Sequence, residues 1–440
     1  MTSKKEISVF WFRRDLRIED NTGLFHCLQQ GIPVIPIFIY DTNILSFLED
    51  KADRRLSFIH KALSEIHENL KKEGSGLKTF YENPASAFQK LANEFEIRSV
   101  YCNHDYEPYA IKRDNEIADL LSQSGTSFHT FKDQVIFEKD EVMANGGQAY
   151  TVFTPYSKKW KSQLSNDLLK ENNISLSKQN FLKWEAKDII SLSEMGFQET
   201  EVTFPPAEVK EELIREYAEK RNFPSLPATS RLSVHLRFGT ISIRKLVQLA
   251  LKNSETWLNE LIWREFYMSI LHHFPKVGEG KAFKAAYDFI PWRQDPGSFQ
   301  KWCEGKTGYP IVDAGMRELN ETGFMHNRVR MIVASFLVKH LLIDWRLGEA
   351  YFAKKLLDFD LSANNGGWQW AAGSGCDAAP YFRVFNPTLQ TEKFDKELKY
   401  VKKWVPEFNT LSYMQSQIVN HEFARNRVLD VYKKALESAK

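Results

Sequence analysis

The chain has few cysteines, and the four it has, Cys27, Cys102, Cys303 and Cys376, are scattered without a CxxC pair. That argues against a disulfide framework or a cysteine zinc site and fits a reducing compartment. No apolar run approaches the ~20 residues of a membrane span, and the N-terminal MTSKKEISVFWF lacks a signal-peptide core. The expected location is therefore cytoplasmic. Charge of one sign is not in excess: 59 Lys+Arg against 57 Asp+Glu give a formal net charge of +2. This excludes a uniformly basic nucleic-acid coat and leaves room for a local basic patch. Neither GxGxxG nor a Walker A loop follows any strand-like run, which disfavours a dinucleotide held in the usual Rossmann manner. Fixed-period repeats and low-complexity tracts are absent, and no metal site is expected.

Aromatic residues, by contrast, are plentiful and unevenly placed. Of eleven tryptophans, eight lie from Trp257 onward. A Trp-rich helical core is the plain reading; a planar cofactor, a stacked base or redox-active indoles are the alternatives. The stretch NNGGWQW (364–370) sharpens the question, because Trp368 and Trp370 sit one residue apart behind a glycine pair.

The first ~130 residues alternate strand and helix signals. ISVFWF, GIPVIPIFIY, LKTFYE and IRSVYCN read as strands; RRLSFIHKALSEIHENLKK and RDNEIADLLSQSG read as helices, and RRDLRIEDN reads as a polar turn. The pattern predicts a doubly wound parallel sheet in an α/β domain over residues 1–134. Residues 135–205 read as an interdomain linker. From 206 to 440 strand alternation is nearly absent and long amphipathic segments predict an all-helical domain.

Three constellations stand out in the helical part. WLNELIWREFYMSI sets Trp257, Glu260, Arg264 and Tyr267 along one helical face with Trp263 beside it. An internally salt-bridged amphipathic helix is one reading; a pocket wall, with Glu260 as acceptor for a base edge and Trp263 as stacking surface, is the other. HNRVRM places Asn327 and Met331 four apart, flanked by Arg328 and Arg330. Asn offers donor and acceptor together, and arginines suit phosphate. In DFDLSANNGGWQW, Asp358, Asp360, Asn364 and Asn365 are expected in irregular chain, with Gly366 and Gly367 permitting close approach of a flat ring. If a helix starts at the glycines, Trp368 and Trp370 point ~200° apart and face different partners.

TSRLS, WLNELIWREF, KTGYPIVDAGMRELNETGFMHNRVRM, LLIDWRLGEAYF and DFDLSANNGGWQWAAGSGCDAAPYFRVFNP together resemble the photolyase/cryptochrome flavoproteins. The resemblance is closest to the class I cyclobutane pyrimidine dimer photolyases and runs from VFWFRRDLRIEDN to about residue 405. It implies an N-terminal α/β domain followed by a helical domain that holds FAD. On this resemblance Tyr217, Thr229, Ser230, Arg231, Leu232, Ser233 and Trp257 are FAD contacts. Arg330 and Asp358 are the ion pair beside the isoalloxazine, joined by Phe359 and Asp360, and Asn364 faces flavin N5. Glu260, Trp263, Asn327, Met331 and Trp370 form the lesion pocket. Arg221 and Arg328 contact phosphates, with Arg264 and Tyr267 also on the DNA side. Trp292, Trp345 and Trp368 pass electrons from the surface to the flavin.

The implied reaction is light-driven: reduced FAD lends an electron to a cyclobutane dimer in UV-damaged DNA, the ring splits, and the electron returns. Flipping of the damaged bases is a general property of such enzymes, photolyases included. A cryptochrome-type photoreceptor and a (6-4) photoproduct photolyase are the related alternatives; a non-catalytic flavin- or DNA-binding module is the unrelated one. Tyr109 and Ala110 stand roughly where folate-antenna relatives carry Asn-Glu. A second chromophore is therefore expected to be folate, a deazaflavin, another flavin, or absent. The chain is expected to be a monomer without an obligate protein partner.

Overall fold

The computed structural model describes residues 4–201 and 203–439. The chain forms two compact units. The first comprises 1–138, 164–209 and 231–252, and the second 139–163, 210–230 and 253–440. The stretch 135–205 is thus shared between them: a helix at Phe153–Gln163 belongs to the second unit and residues 164–209 to the first.

In the first unit five strands, β1 (Lys5–Phe12), β2 (Val34–Asp41), β3 (Lys78–Glu82), β4 (Phe95–Asn103) and β5 (Ser127–Phe131), form one sheet in the order β3-β2-β1-β4-β5. Every pairing is parallel. The longer helices between them are α1 (Thr22–Leu28), α2 (Arg54–Lys72), α3 (Pro84–Glu94) and α4 (Pro108–Gln123). Right-handed crossovers place α1 and α2 on one face, and the jump from β3 to β4 sends α3 and α4 to the other. This is the doubly wound sheet that the alternating pattern predicts. Each start has a local cause: Asn21, Asp53 and Asn83 cap α1, α2 and α3, and Pro84 and Pro108 open α3 and α4.

The strand order reverses between β1 and β4, where an open α/β sheet offers its ligand crevice. Here the protein fills that place itself. Asn103 Nδ2 donates to Asp15 Oδ2 at 2.6 Å and to Asn21 Oδ1 at 2.8 Å, and Arg13 pairs with Asp114. Deeper in the same unit Arg17 Nη2 meets Asp133 Oδ2 at 2.7 Å. Arg244, on the helix Ile243–Asn253, grips Asp20 at 2.9 Å and Asp133 at 2.9 Å. The RRDLRIEDN segment, expected as a polar turn, is therefore a buried ionic knot: Asp15, Asp20 and Asn21 are all nearly inaccessible.

The second unit is helical. Its main elements are α5 (Phe153–Gln163), α6 (Glu255–His273), α7 (Pro310–Thr322), α8 (Asn327–Ser335), α9 (Trp345–Lys355), α10 (Leu361–Ala372) and α11 (His421–Ser438). The core gathers apolar faces of α7 to α10, including Ile311, Val329, Ile332, Trp345, Phe352, Trp368 and Ala371. The long segment from Arg330 to Phe359 is not one helix. After α8 a π-turn runs over Phe336–His340, Leu342 adopts φ +53°, and Asp344 caps α9 through Arg346 N–H.

Candidate functional site

Three helices of the second unit carry most of the expected site. α6 begins where Ser254 caps the N–H of Trp257, and Trp257 is buried. One turn on, Glu260 forms an ion pair with Arg221, whose guanidinium also lies 5.4 Å over the Tyr217 ring. Burial pushes the Glu260 carboxyl above its ordinary value, and Arg221 only partly offsets this. Tyr217 is raised for the same reason, with Glu260 adding to the rise.

Trp263 stacks face to face on Phe153 of α5, with centroids 3.8 Å apart and planes within 4°. One face of the indole is therefore covered by the protein, and the residue as a whole is half-buried. The Trp263 ring is 5.5 Å from that of Tyr267, one turn later, and Arg264 between them is half-buried. Phe153 is not marked by the sequence, because nothing in VFTPYSKKW signals a partner a hundred residues away. The N–H of Phe153 donates to Asp377 at 3.1 Å, which sets its ring in place.

α8 is capped by its own His326, whose Nδ1 accepts from Arg328 N–H at 3.1 Å. Arg328 and Arg330 diverge. Arg328 reaches Asn222 at 2.7 Å, lies 4.5 Å over Phe394 and touches Met331 Sδ at 3.6 Å. Burial, then the nearby Arg221 and Arg383, lower its pKa, the mark of a cluster of like charge. Arg330 donates to the Met325 carbonyl at 2.7 Å and holds both oxygens of Asp358, at 3.1 and 2.9 Å. Asn327 is exposed and Met331 half-buried.

The structure corrects the reading of DFDLSANNGGWQW. Asn364 and Asn365 are not in irregular chain, and the helix does not begin at the glycines. α10 starts at Leu361, with Asp360 as cap accepting from Ala363 N–H at 3.3 Å and from Ser362 Oγ at 2.5 Å. Asp360 is a favoured capping residue, and its bonds to the first turn outweigh the two mid-helix glycines. Asn364 is buried and donates to Glu349 Oε1 at 2.7 Å. Burial raises the Glu349 carboxyl, with the Asn364 bond opposing. Asn365 is structural, bonding the Val277 carbonyl at 2.9 Å and accepting from Gln369 at 2.9 Å.

The flat ring that Gly366 admits is the protein's own: a Cβ there would lie 2.2 Å from the Tyr267 ring. The seam between α6 and α10, lined by Tyr267, Gly366, Trp370 and Cys376, holds only about 20 Å³, the room of a water molecule. Trp368 and Trp370 have different surroundings. Trp368 is 2% exposed, packed at 5.0 Å on Phe352 and 6.0 Å from Trp302 in edge contacts. Gly348 clears its path, since a Cβ there would meet the indole at 2.2 Å. Trp345 is buried in the same core, and Trp292 lies half-buried against it, its ring 6.0 Å from that of Tyr432. Trp370 is half-buried, with Phe385 at 6.5 Å.

The expected FAD contacts at TSRLS are divided by chain membership: Thr229 and Ser230 belong to the second unit, Arg231, Leu232 and Ser233 to the first. Arg231 adopts φ +54°, Leu232 is buried, and Ser233 opens the short helix Ser233–Phe238. Phe359, between Asp358 and Asp360, packs against the helical core.

Comparison with known proteins shows the family. Residues 257–431 match the FAD binding domain of DNA photolyase, and residues 8–173 match the DNA photolyase family. A deoxyribodipyrimidine photo-lyase of Halobacterium salinarum is 38% identical over 434 residues, covering 91% of this chain and 89% of that one. The chain belongs to the DNA photolyase family. Among solved photolyases, a bacterial class III enzyme from Agrobacterium tumefaciens superposes with a TM-score of 0.86 at 32% identity, over 99% of each chain. The photolyase of Sulfolobus tokodaii, solved with two FAD molecules, gives a TM-score of 0.80 at 34% identity, over 98% of this chain and 100% of that one. Like its relatives, this photolyase has the FAD-binding helical domain and the parallel α/β sheet. None of the helices among the described residues is long and apolar enough to cross a membrane.

Proposed function

We propose that this photolyase repairs UV-damaged DNA by splitting cyclobutane pyrimidine dimers under blue or near-UV light, with FAD as cofactor. The observation that carries the reading is the set of side chains on α6, α8 and α10. An indole with one face already covered, a raised carboxyl, a cluster of arginines and a half-buried Arg–Asp pair all belong to one helical unit. Trp257, Tyr217, Arg330, Asp358, Phe359, Asp360 and Asn364 would hold FAD. A carboxylate already matched by Arg330, together with a buried amide, suits a ring with alternating donors and acceptors. FAD supplies the light-driven one-electron chemistry, with no net redox change over a cycle.

The remaining steps belong to this chain's residues. Trp263 and Trp370 offer indole faces to the flipped pyrimidines, and Met331 fills apolar space beside Arg328. Asn327, exposed at the start of α8, offers donor and acceptor to the base edges. Arg221, Arg328 and Arg383 take backbone phosphates. The Arg221–Glu260 pair is what DNA must break: once Arg221 turns to a phosphate, nothing offsets the burial of Glu260. Its carboxyl then rises further and can donate a hydrogen bond to a pyrimidine carbonyl. Trp368, Trp345 and Trp292 run from a buried to a half-buried position, which suits a path to solvent. A second chromophore, such as a further flavin, is supported by the Sulfolobus relative, which was solved with two FAD molecules. Four free cysteines support a reducing, cytoplasmic setting, and we read the protein as a monomer.

A UV-irradiated thymine oligonucleotide, incubated with pre-reduced protein in blue light and in the dark, tests the reading. Reversion of cyclobutane dimers in light alone is expected. Dimers untouched in light, or (6-4) products reverted instead, would reject it.

A further inference from the structure

Near the end of α6, away from the residues assigned above, three potential metal ligands meet. His272 and His273 close the last turn of the helix, and Asp140 lies on the short 3-10 turn Lys139–Glu141 that precedes α5. Among the described residues, one ligand atom from each of the three lies within 4.8 Å of the others. All three belong to the second unit. We propose that Asp140, His272 and His273 bind a divalent transition-metal ion of the zinc class.

The geometry around His273 favours this over a plain ion pair. Its Nε2 faces the Lys139 carbonyl at 3.2 Å, so the N–H sits there and the Nδ1 lone pair is left pointing elsewhere. A ligating imidazole is ordinarily held in this way, with its second nitrogen donating to a backbone carbonyl. Nδ1 points toward Asp140 Oδ1 at 3.8 Å, too long for a hydrogen bond. It is close to the ~3.4 Å edge between two ligands of a tetrahedral ion with bonds of about 2.1 Å. The His272 ring stands 4.9 Å from that of His273 and nearly perpendicular to it, at 74°. The two rings can therefore converge on one ion without stacking. Lys139, which offers the orienting carbonyl, adopts the left-handed φ of +48° that a non-glycine residue seldom takes.

Ligand chemistry narrows the ion. Two imidazoles and one carboxylate suit zinc, nickel, cobalt or copper, whereas magnesium and calcium prefer oxygen throughout. The helix C-terminus adds partial negative charge, which favours any cation there. With three protein ligands, water completes the shell. A bound ion would tie the 139–141 turn to α6, and so the segment that carries Phe153 beneath Trp263. This departs from the sequence reading, which expected no metal: histidines 272 and 273 are adjacent, and their third partner lies over a hundred residues away.

The test is calorimetric titration of the full-length protein, stripped with chelator, against zinc chloride, with cobalt chloride followed in parallel by its visible d–d bands. One zinc per chain is expected, with no comparable response to magnesium. Asp140→Asn, His272→Ala and His273→Ala should each weaken zinc binding by about tenfold or more. Zinc should also raise the unfolding temperature of the parent protein but not of these variants. No stoichiometric zinc binding, or binding unchanged in all three variants, would overturn the proposal. Variants that fail to unfold cooperatively would be replaced by Asp140→Ser and His273→Gln, for which the same loss of affinity is required.

Discussion

At the residue scale, the opposition between neighbours in NNGGWQW has distinct consequences for each side chain. Gly366 faces the Tyr267 ring at a distance no real Cβ tolerates, whereas a Cβ at Gly367 meets nothing within 4 Å. Gly366→Ala should therefore cost about 1–3 kcal/mol through overpacking. Gly367→Ala, in the same turn of the same helix, should add about 0.5–1 kcal/mol by restricting the unfolded chain. Chemical denaturation of the two variants checks both signs, and equal destabilisation would contradict the packing described. The indoles divide in the same way. Trp370→Ala or Trp263→Ala should weaken binding to dimer-containing DNA by about 1–3 kcal/mol, the worth of one stacked base, with little change on undamaged DNA. Trp345→Phe, by contrast, should leave repair by pre-reduced protein intact while slowing photoreduction of oxidised flavin. A filter-binding series and a flash-photolysis trace separate the two behaviours, and a loss of repair in Trp345→Phe would remove it from the relay.

At the element scale, the buried knot of the first unit shows what a linear reading catches and what it loses. The alternation of strands and helices was legible because its signals are local: period-two apolar runs, Asn and Asp caps, proline at helix starts. Asp360 was equally local, and the glycine pair distracted from a cap three residues before Ala363. The fate of RRDLRIEDN was not legible, because its partners Asn103, Asp114, Asp133 and Arg244 lie roughly 80 to 230 residues away. Phe153 under Trp263 escaped for the same reason, and so did Lys339, buried in the π-turn with its amine over the Tyr432 ring at 3.9 Å. Burial alone would raise the Asp133 carboxyl, but Arg17 and Arg244 overrule it and hold it down to about 2. A carboxyl whose folded value is depressed stabilises the protein above its unfolded value and loses that contribution as the pH falls through the folded one. The stability of the parent protein should therefore drop by about 2 kcal/mol between pH ~5 and ~2 on account of this group. Asp133→Asn should remove that part of the acid transition and cost about 3–5 kcal/mol at neutral pH, by leaving buried Arg17 without its carboxylate while Arg244 keeps Asp20. Urea titrations of both proteins across that range measure the difference.

At the scale of the whole molecule, near-neutrality constrains how DNA can be held. With a formal net charge of +2 there is no general attraction for a polyanion, so affinity for the backbone must come from a few placed cations. The candidates are Arg221, Arg328 and Arg383, close enough that two of them depress the third. Each is engaged differently in the free protein. Arg221 is paired with Glu260, Arg328 lies over Phe394, and exposed Arg383 lies 5.4 Å over the Phe385 ring. A phosphate that draws on all three must compete with one ion pair and three cation–π contacts, which keeps binding to undamaged duplex weak. The damaged site adds what the intact duplex lacks, pyrimidines already poorly paired and ready to leave the stack. Discrimination should thus reside in the indoles, and salt sensitivity in the arginines. Removing one cation from a phosphate should lower the slope of log K against log salt by ~0.9 on duplex DNA. Arg383→Ala should produce that decrement equally on damaged and undamaged DNA, with no change in folding because its side chain is exposed. Arg328→Ala should produce it together with a loss of stability, since its guanidinium also packs on Phe394 and bonds Asn222. Anisotropy titrations over a range of potassium chloride would measure these slopes. An Arg383→Ala slope equal to that of the parent would show that this residue holds no phosphate and confine DNA to the surface around Arg221 and Arg328.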